Sequence, residues 1–147
     1  MASDARPPAP APAPHTYAVG REKIREYARA VGETNPLHLD LDAARAAGHQ
    51  DLVAPPMFAV VYCASAIEEA LFDPEIGIDF EMLLHSGQEF EWGPLVLAGD
   101  EIATSVELAE VYERIGMTFY VLASQSRNQR GEVVCSGRWT EVVRPRT

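Results

Sequence analysis

The sequence predicts an α+β fold in which a curved antiparallel sheet wraps around one long apolar helix, and three observations predict it. Residues 52–67 are apolar almost throughout, and a helix without a polar face has to be buried. Beyond residue 83 the period changes. Leu84 to Trp92, Asp100 to Tyr112, Met117 to Arg127 and Glu132 to Val143 are rich in β-branched and aromatic residues with partial alternation, the pattern of strands. Between them stand Gly93-Pro94, Arg114-Ile115-Gly116 and Asn128-Gln129-Arg130-Gly131, turn compositions that fold consecutive strands back into a meander. Strands this long curve, and a curved sheet closing on an apolar helix buries both partners.

The remaining elements follow in order. Residues 1–14, MASDARPPAPAPAP, contain no apolar signal-peptide core and are expected to form a disordered Pro/Ala-rich tail. Residues 15–147 then make one domain. Tyr17-Ala18-Val19 is a short extended stretch. From Arg21 to Val31 the apolar residues Ile24, Tyr27, Ala28 and Val31 recur at helical spacing, and Gly32 ends that helix. Leu41 to Ala47 is a short helix stopped by Gly48. The long helix starts at 55–57, with Pro56 in a first turn where a missing N–H costs little, and runs to about Leu71.

Composition narrows the function classes. The chain has 147 residues, 47% hydrophobic and 23% charged, enough for one ordinary globular core. Its formal net charge is −10 and Lys23 is the only lysine, so no nucleic-acid partner is expected. No apolar run reaches the 18 or so residues of a membrane span. Cys63 and Cys135 form no CxxC pair, which predicts buried structural thiols, no metal site and a cytoplasmic location. The glycines make no phosphate-binding loop, so no cofactor is expected. Arg21, Arg25 and Arg29, spaced by four, share one helix face, which reads either as an anion-docking patch or as a solvated surface.

The run Gly32-Glu33-Thr34-Asn35-Pro36-Leu37-His38-Leu39-Asp40 carries the chemistry. Pro36 fixes its own φ and drives Asn35 to extended geometry, so Glu33 and His38 lie on a bend. A carboxylate and an imidazole facing one small volume are an acid/base pair. Asn35 suits the turn through its own side chain.

These residues, with Tyr17 to Ala28, Val53-Ala54-Pro55-Pro56-Met57-Phe58, Gly87-Gln88-Glu89-Phe90, Pro94 and Ala98-Gly99-Asp100, resemble the MaoC-like (R)-specific enoyl-thioester hydratases and 3-hydroxyacyl-thioester dehydratases of the hotdog fold, and more closely their actinobacterial N-terminal-type subunits. The resemblance covers about residues 17 to 143. It implies a single hotdog domain that adds water to, or removes it from, the α,β bond of an acyl-CoA or acyl-ACP. Glu33 and His38 would be the catalytic pair acting through water, and a backbone N–H at the helix start would polarise the thioester carbonyl. Asn35, Pro56, Met57, Phe58, His85 and Gly87 are the candidate substrate-binding residues. The resemblance also implies a homodimer, or a heterodimer with another hotdog subunit, and gives the Arg21 series an acidic carrier protein as its possible anion.

Two departures from the family pattern bear on activity. Glu33 stands where Asp is usual, one methylene longer. Pro55-Pro56-Met57 replaces the common His-Gly-Met, and proline has no N–H to donate. A non-catalytic acyl-binding subunit of a heterodimeric dehydratase is therefore the alternative reading, and a thioesterase on the same fold is a third.

Overall fold

The computed structural model describes residues 13–146, so all but the last two residues of the expected tail lie outside the described residues. The elements are β1 (His15–Ala18), α1 (Arg21–Ala30), a 3₁₀ turn (Pro36–His38), α2 (Leu41–Ala46), a second 3₁₀ turn (Pro56–Phe58), α3 (Ala59–Tyr62), α4 (Ala64–Leu71), a third 3₁₀ turn (Phe80–Met82), β2 (Leu83–Trp92), β3 (Glu101–Arg114), β4 (Met117–Arg127) and β5 (Val133–Val143). The strands form one antiparallel sheet in the order β1-β3-β4-β5-β2. The fold is the expected α+β hotdog, with β1 added as a fifth strand, but the expected meander holds only for β3, β4 and β5: β2 lies beside β5 at the sheet edge, so Gly93-Pro94 starts a crossover and not a hairpin to β3. The four residues of β1 lie along the start of β3, with Tyr17 opposite Ile102. The extended stretch expected at residues 17–19 thus begins two residues earlier, and its backbone partners on β3 make it a strand.

The long helix differs from expectation in two ways. It is interrupted at Cys63, between α3 and α4, and it is not buried all round. Phe58, Ala59, Tyr62, Cys63, Ala66 and Ile67 are buried, a stripe at three- and four-residue spacing facing the sheet. Met57, Ala64 and Ser65 lie on the exposed side, because a single sheet covers only one face of a helix.

Phe58 sits at the centre of the core, edge-on to Tyr17, Tyr27 and Tyr62 at 6.2, 5.5 and 6.3 Å between ring centroids. Beneath α4 the inward positions of the sheet are small and hydroxylated, and they satisfy one another. Thr104 Oγ1 lies 2.8 Å from Ser126 Oγ, Cys63 Sγ lies 3.4 Å from the same oxygen, and the Trp139 indole donates to Ser124 Oγ at 2.9 Å. Both cysteines are buried and free. Burial pushes both thiols up, Cys135 to about 11, so neither is a thiolate at neutral pH.

Candidate active site

The acid/base loop hangs from the end of α1. Gly32 turns out of the helix at φ 73°, and the Glu33 N–H returns to the Ala28 carbonyl at 2.8 Å. Glu33 Oε1 then accepts the N–H groups of Thr34 and Asn35, each at 3.0 Å. The Asn35 amide is the chief cause that holds this carboxyl below its ordinary 4.5; the Thr34 amide and the charge of His38 act the same way, against partial desolvation. Glu33 is therefore a carboxylate, and hence a base, through mildly acidic pH. Carboxyl NMR titration of the protein is expected to give Glu33 a midpoint below 4.5, and a midpoint above it would mean that the loop amides do not hold the group.

Asn35 accepts the Leu37 N–H on Oδ1 at 3.0 Å and caps the 3₁₀ turn that delivers His38. The imidazole is buried, 6% exposed, and its Nδ1 lies 2.6 Å from the Val53 carbonyl oxygen. A carbonyl only accepts, so Nδ1 carries the proton and the neutral ring has its lone pair on Nε2. Nε2 has no partner among the described residues, in which no fully buried side-chain nitrogen or oxygen is left unpaired, so it is open to a water or a ligand.

The strip that holds His38 leads straight to the helix start. Val53 donates to the Leu37 carbonyl at 3.0 Å, while Ala98 donates to Leu52 at 2.9 Å and Ala54 to Val96 at 2.8 Å, so residues 52–54 are fixed on both sides. Pro55 and Pro56 follow, and the Phe58 N–H is spent on the Pro55 carbonyl at 2.8 Å. The Met57 N–H is the first amide of the helix and has no backbone partner among the described residues. Met57 itself is 43% exposed. The Trp92 indole donates to the Pro56 carbonyl at 3.0 Å, closing one side of an apolar pocket of about 340 Å³ lined by Ala54, Pro55, Pro56, Tyr62, Trp92 and Val96.

Glu33, Asn35, His38, Pro56 and Met57 thus belong to one connected region, whereas the Phe58 side chain is committed to the core. His85 and Gly87 lie elsewhere, on the edge strand β2. His85 is seven residues before Trp92, roughly 20 Å along an extended chain. Its Nδ1 meets Glu141 Oε1 at 2.7 Å, and Glu141 is only 3% exposed. Sequence reasoning passed over Glu141. Its signal was there: it is the charged member of the inward-facing series Cys135, Gly137, Trp139, Glu141. Val53 carried no signal, because it acts through its carbonyl.

A family profile described as "FAS1-like, dehydratase domain region" matches residues 10–137. The chain belongs to that family. A UPF0336 protein of Saccharopolyspora erythraea is 40% identical over 138 residues, 94% of this chain and 85% of that protein. Among solved structures, a protein named MaoC-like dehydratase superposes with a TM-score of 0.78 at 32% identity, covering 90% of this chain but 39% of that one, so this chain matches about two fifths of a longer protein. The HadBC (3R-hydroxyacyl-ACP dehydratase) complex of Mycobacterium tuberculosis superposes with a TM-score of 0.76 at 29% identity, covering 88% of this chain and 93% of the matched chain. The resemblance to MaoC-like dehydratases thus holds over the whole hotdog. No helix among the described residues of this family member is long and apolar enough to cross a membrane.

Proposed function

We propose that this chain catalyses (R)-specific hydration of 2-enoyl thioesters, and the reverse dehydration of 3-hydroxyacyl thioesters, with Glu33 and His38 as the proton-transfer pair. The observation that carries the reading is the His38 imidazole, buried, fixed through Nδ1 and open at Nε2. In hydration, Glu33 takes one proton from water as the water oxygen bonds to C3. His38, having taken up a proton from solvent at its open Nε2, gives that proton to C2, and the negative charge that builds on the thioester oxygen is met by the Met57 N–H. Proton exchange between the two side chains resets the pair, and dehydration runs the same transfers backwards. The acyl group is carried on CoA or an acyl carrier protein.

A second hotdog subunit, identical or different, completes the molecule. This is supported by the uncovered side of α3 and α4, the ten-residue edge strand β2, and likeness both to a two-subunit complex and to a chain more than twice as long. The second reading, an acyl-binding subunit without its own chemistry, is favoured by the two consecutive prolines at the helix start and by a Glu33 oxygen already engaged with its own loop. The deciding experiment is loss of the enoyl-thioester absorbance of crotonyl-CoA. Turnover by the purified chain is expected. Turnover only after addition of a catalytic hotdog subunit would favour the second reading, and thiol release without hydration would indicate a thioesterase.

A further inference from the structure

Two of the three arginines on α1, Arg21 and Arg25, are tied to neighbouring chain, while Arg29 is exposed. Arg21 grips Asp51 with three contacts, Nε to Oδ1 and Oδ2 at 2.9 and 3.1 Å and a second nitrogen to Oδ2 at 2.7 Å. Asp51 Oδ1 also accepts the Leu52 N–H at 2.8 Å, and the next residue is Val53, whose carbonyl holds the His38 imidazole. One turn along, Arg25 Nε donates to the Leu39 carbonyl at 3.0 Å, immediately after His38, while its other nitrogen meets Glu22. At the far end of the same helix the Ala28 carbonyl receives the Glu33 N–H. One helix therefore touches the acid/base loop at the Glu33 N–H, at the Leu39 carbonyl after His38, and at the strip that orients the imidazole.

We propose that Arg21 and Arg25 are positioning residues, which use α1 as a spine to set where His38 stands relative to Glu33. They are not docking residues for an acidic carrier. This rests on the reading of Glu33 and His38 as the proton-transfer pair. The contacts support it: the Arg25 side chain is only 22% exposed, and that of Arg21, 45% exposed, spends its guanidinium on the 19%-exposed Asp51. Position is also what proton transfer depends on, since a misplacement of about 1 Å can cost about 10²-fold in rate. The bonds themselves add little to stability, because solvent screens half-exposed ion pairs.

The test uses Arg21→Gln, Arg25→Gln and the double variant, with Arg21→Asp combined with Asp51→Arg as the charge-swapped control. The primary measurement is the ring-nitrogen and ring-proton NMR spectrum of His38, which needs no catalytic activity. The unaltered protein is expected to show a single Nδ1–H tautomer with a slowly exchanging Nδ1 proton. The double variant is expected to lose that protection and move towards mixed-tautomer shifts, and the charge swap is expected to restore much of it. In the assay, kcat is expected to fall about tenfold for CoA and carrier-linked thioesters alike, with KM within about twofold. Unchanged His38 signals in the double variant overturn the proposal. If KM then rises for the carrier-linked substrate alone, the arginines are a docking patch. If the unaltered chain has no hydratase activity, that fails the acid/base reading, and the NMR result still decides whether the arginines position His38.

Discussion

Replacing His38 with alanine is expected to lower enoyl-thioester hydration by about 10²- to 10⁴-fold, the range that one positioned acid/base group supplies. Alanine has a second effect. It leaves the buried Val53 carbonyl without its 2.6 Å donor, which costs about 1–3 kcal/mol of stability for an unsatisfied buried group. His38→Asn separates the two. Its side-chain amide can still donate to Val53, but it offers no second nitrogen that exchanges a proton at neutral pH. The expected result is a rate as low as that of the alanine variant and a melting temperature closer to that of the unaltered protein. Steady-state rates and thermal melts of the three proteins check this, and an asparagine variant that retained most of the rate would remove His38 from the chemistry.

What was legible in the sequence was local. The Asn35-Pro36 bend followed from the chemistry of two adjacent residues, and the structure adds the Asn35 side-chain cap and the bonds from Glu33 to its own loop amides. The strands were legible from period and turn composition, and the meander holds for β3, β4 and β5, but no local signal showed that β2 crosses to the far edge beside β5 instead of folding back on β3. The missing parts were long-range or one-sided. The strand β1 depends on β3, eighty-odd positions away, and the Val53 carbonyl depends on a pairing between residues 52–54 and 96–98 that no periodicity marks. The apolar run 52–67 suggested burial on every side, because composition does not distinguish a helix enclosed by its own chain from one whose outer half is left uncovered. Arg21 and Arg25 had the spacing of a surface face, and only their partners show that the face is turned to the loop.

Gly93→Ala is expected to be the most damaging small change outside the acid/base loop. Gly93 joins β2 to the turn that leads to β3, and its N–H donates to the Val134 carbonyl at 2.9 Å, so its backbone lies close against β5. A Cβ there would stand 2.1 Å from the Val133 carbonyl oxygen and 3.3 Å from the Val133 carbonyl carbon. Both atoms are backbone, so no side-chain rotation relieves the clash. Either the edge strand β2 shifts or the β5 backbone bends. Forcing such a shift costs about 3 kcal/mol, at the upper end of ordinary overpacking, which in a chain of this size lowers the melting temperature by on the order of 10 °C. The damage reaches the site as well, because the preceding residue, Trp92, donates to the Pro56 carbonyl at the helix start beside Met57. Activity of the folded fraction is therefore expected to fall with stability. A thermal melt within about 2 °C of the unaltered protein, a shift worth less than 1 kcal/mol, would show that β2 and β5 are not held at this separation.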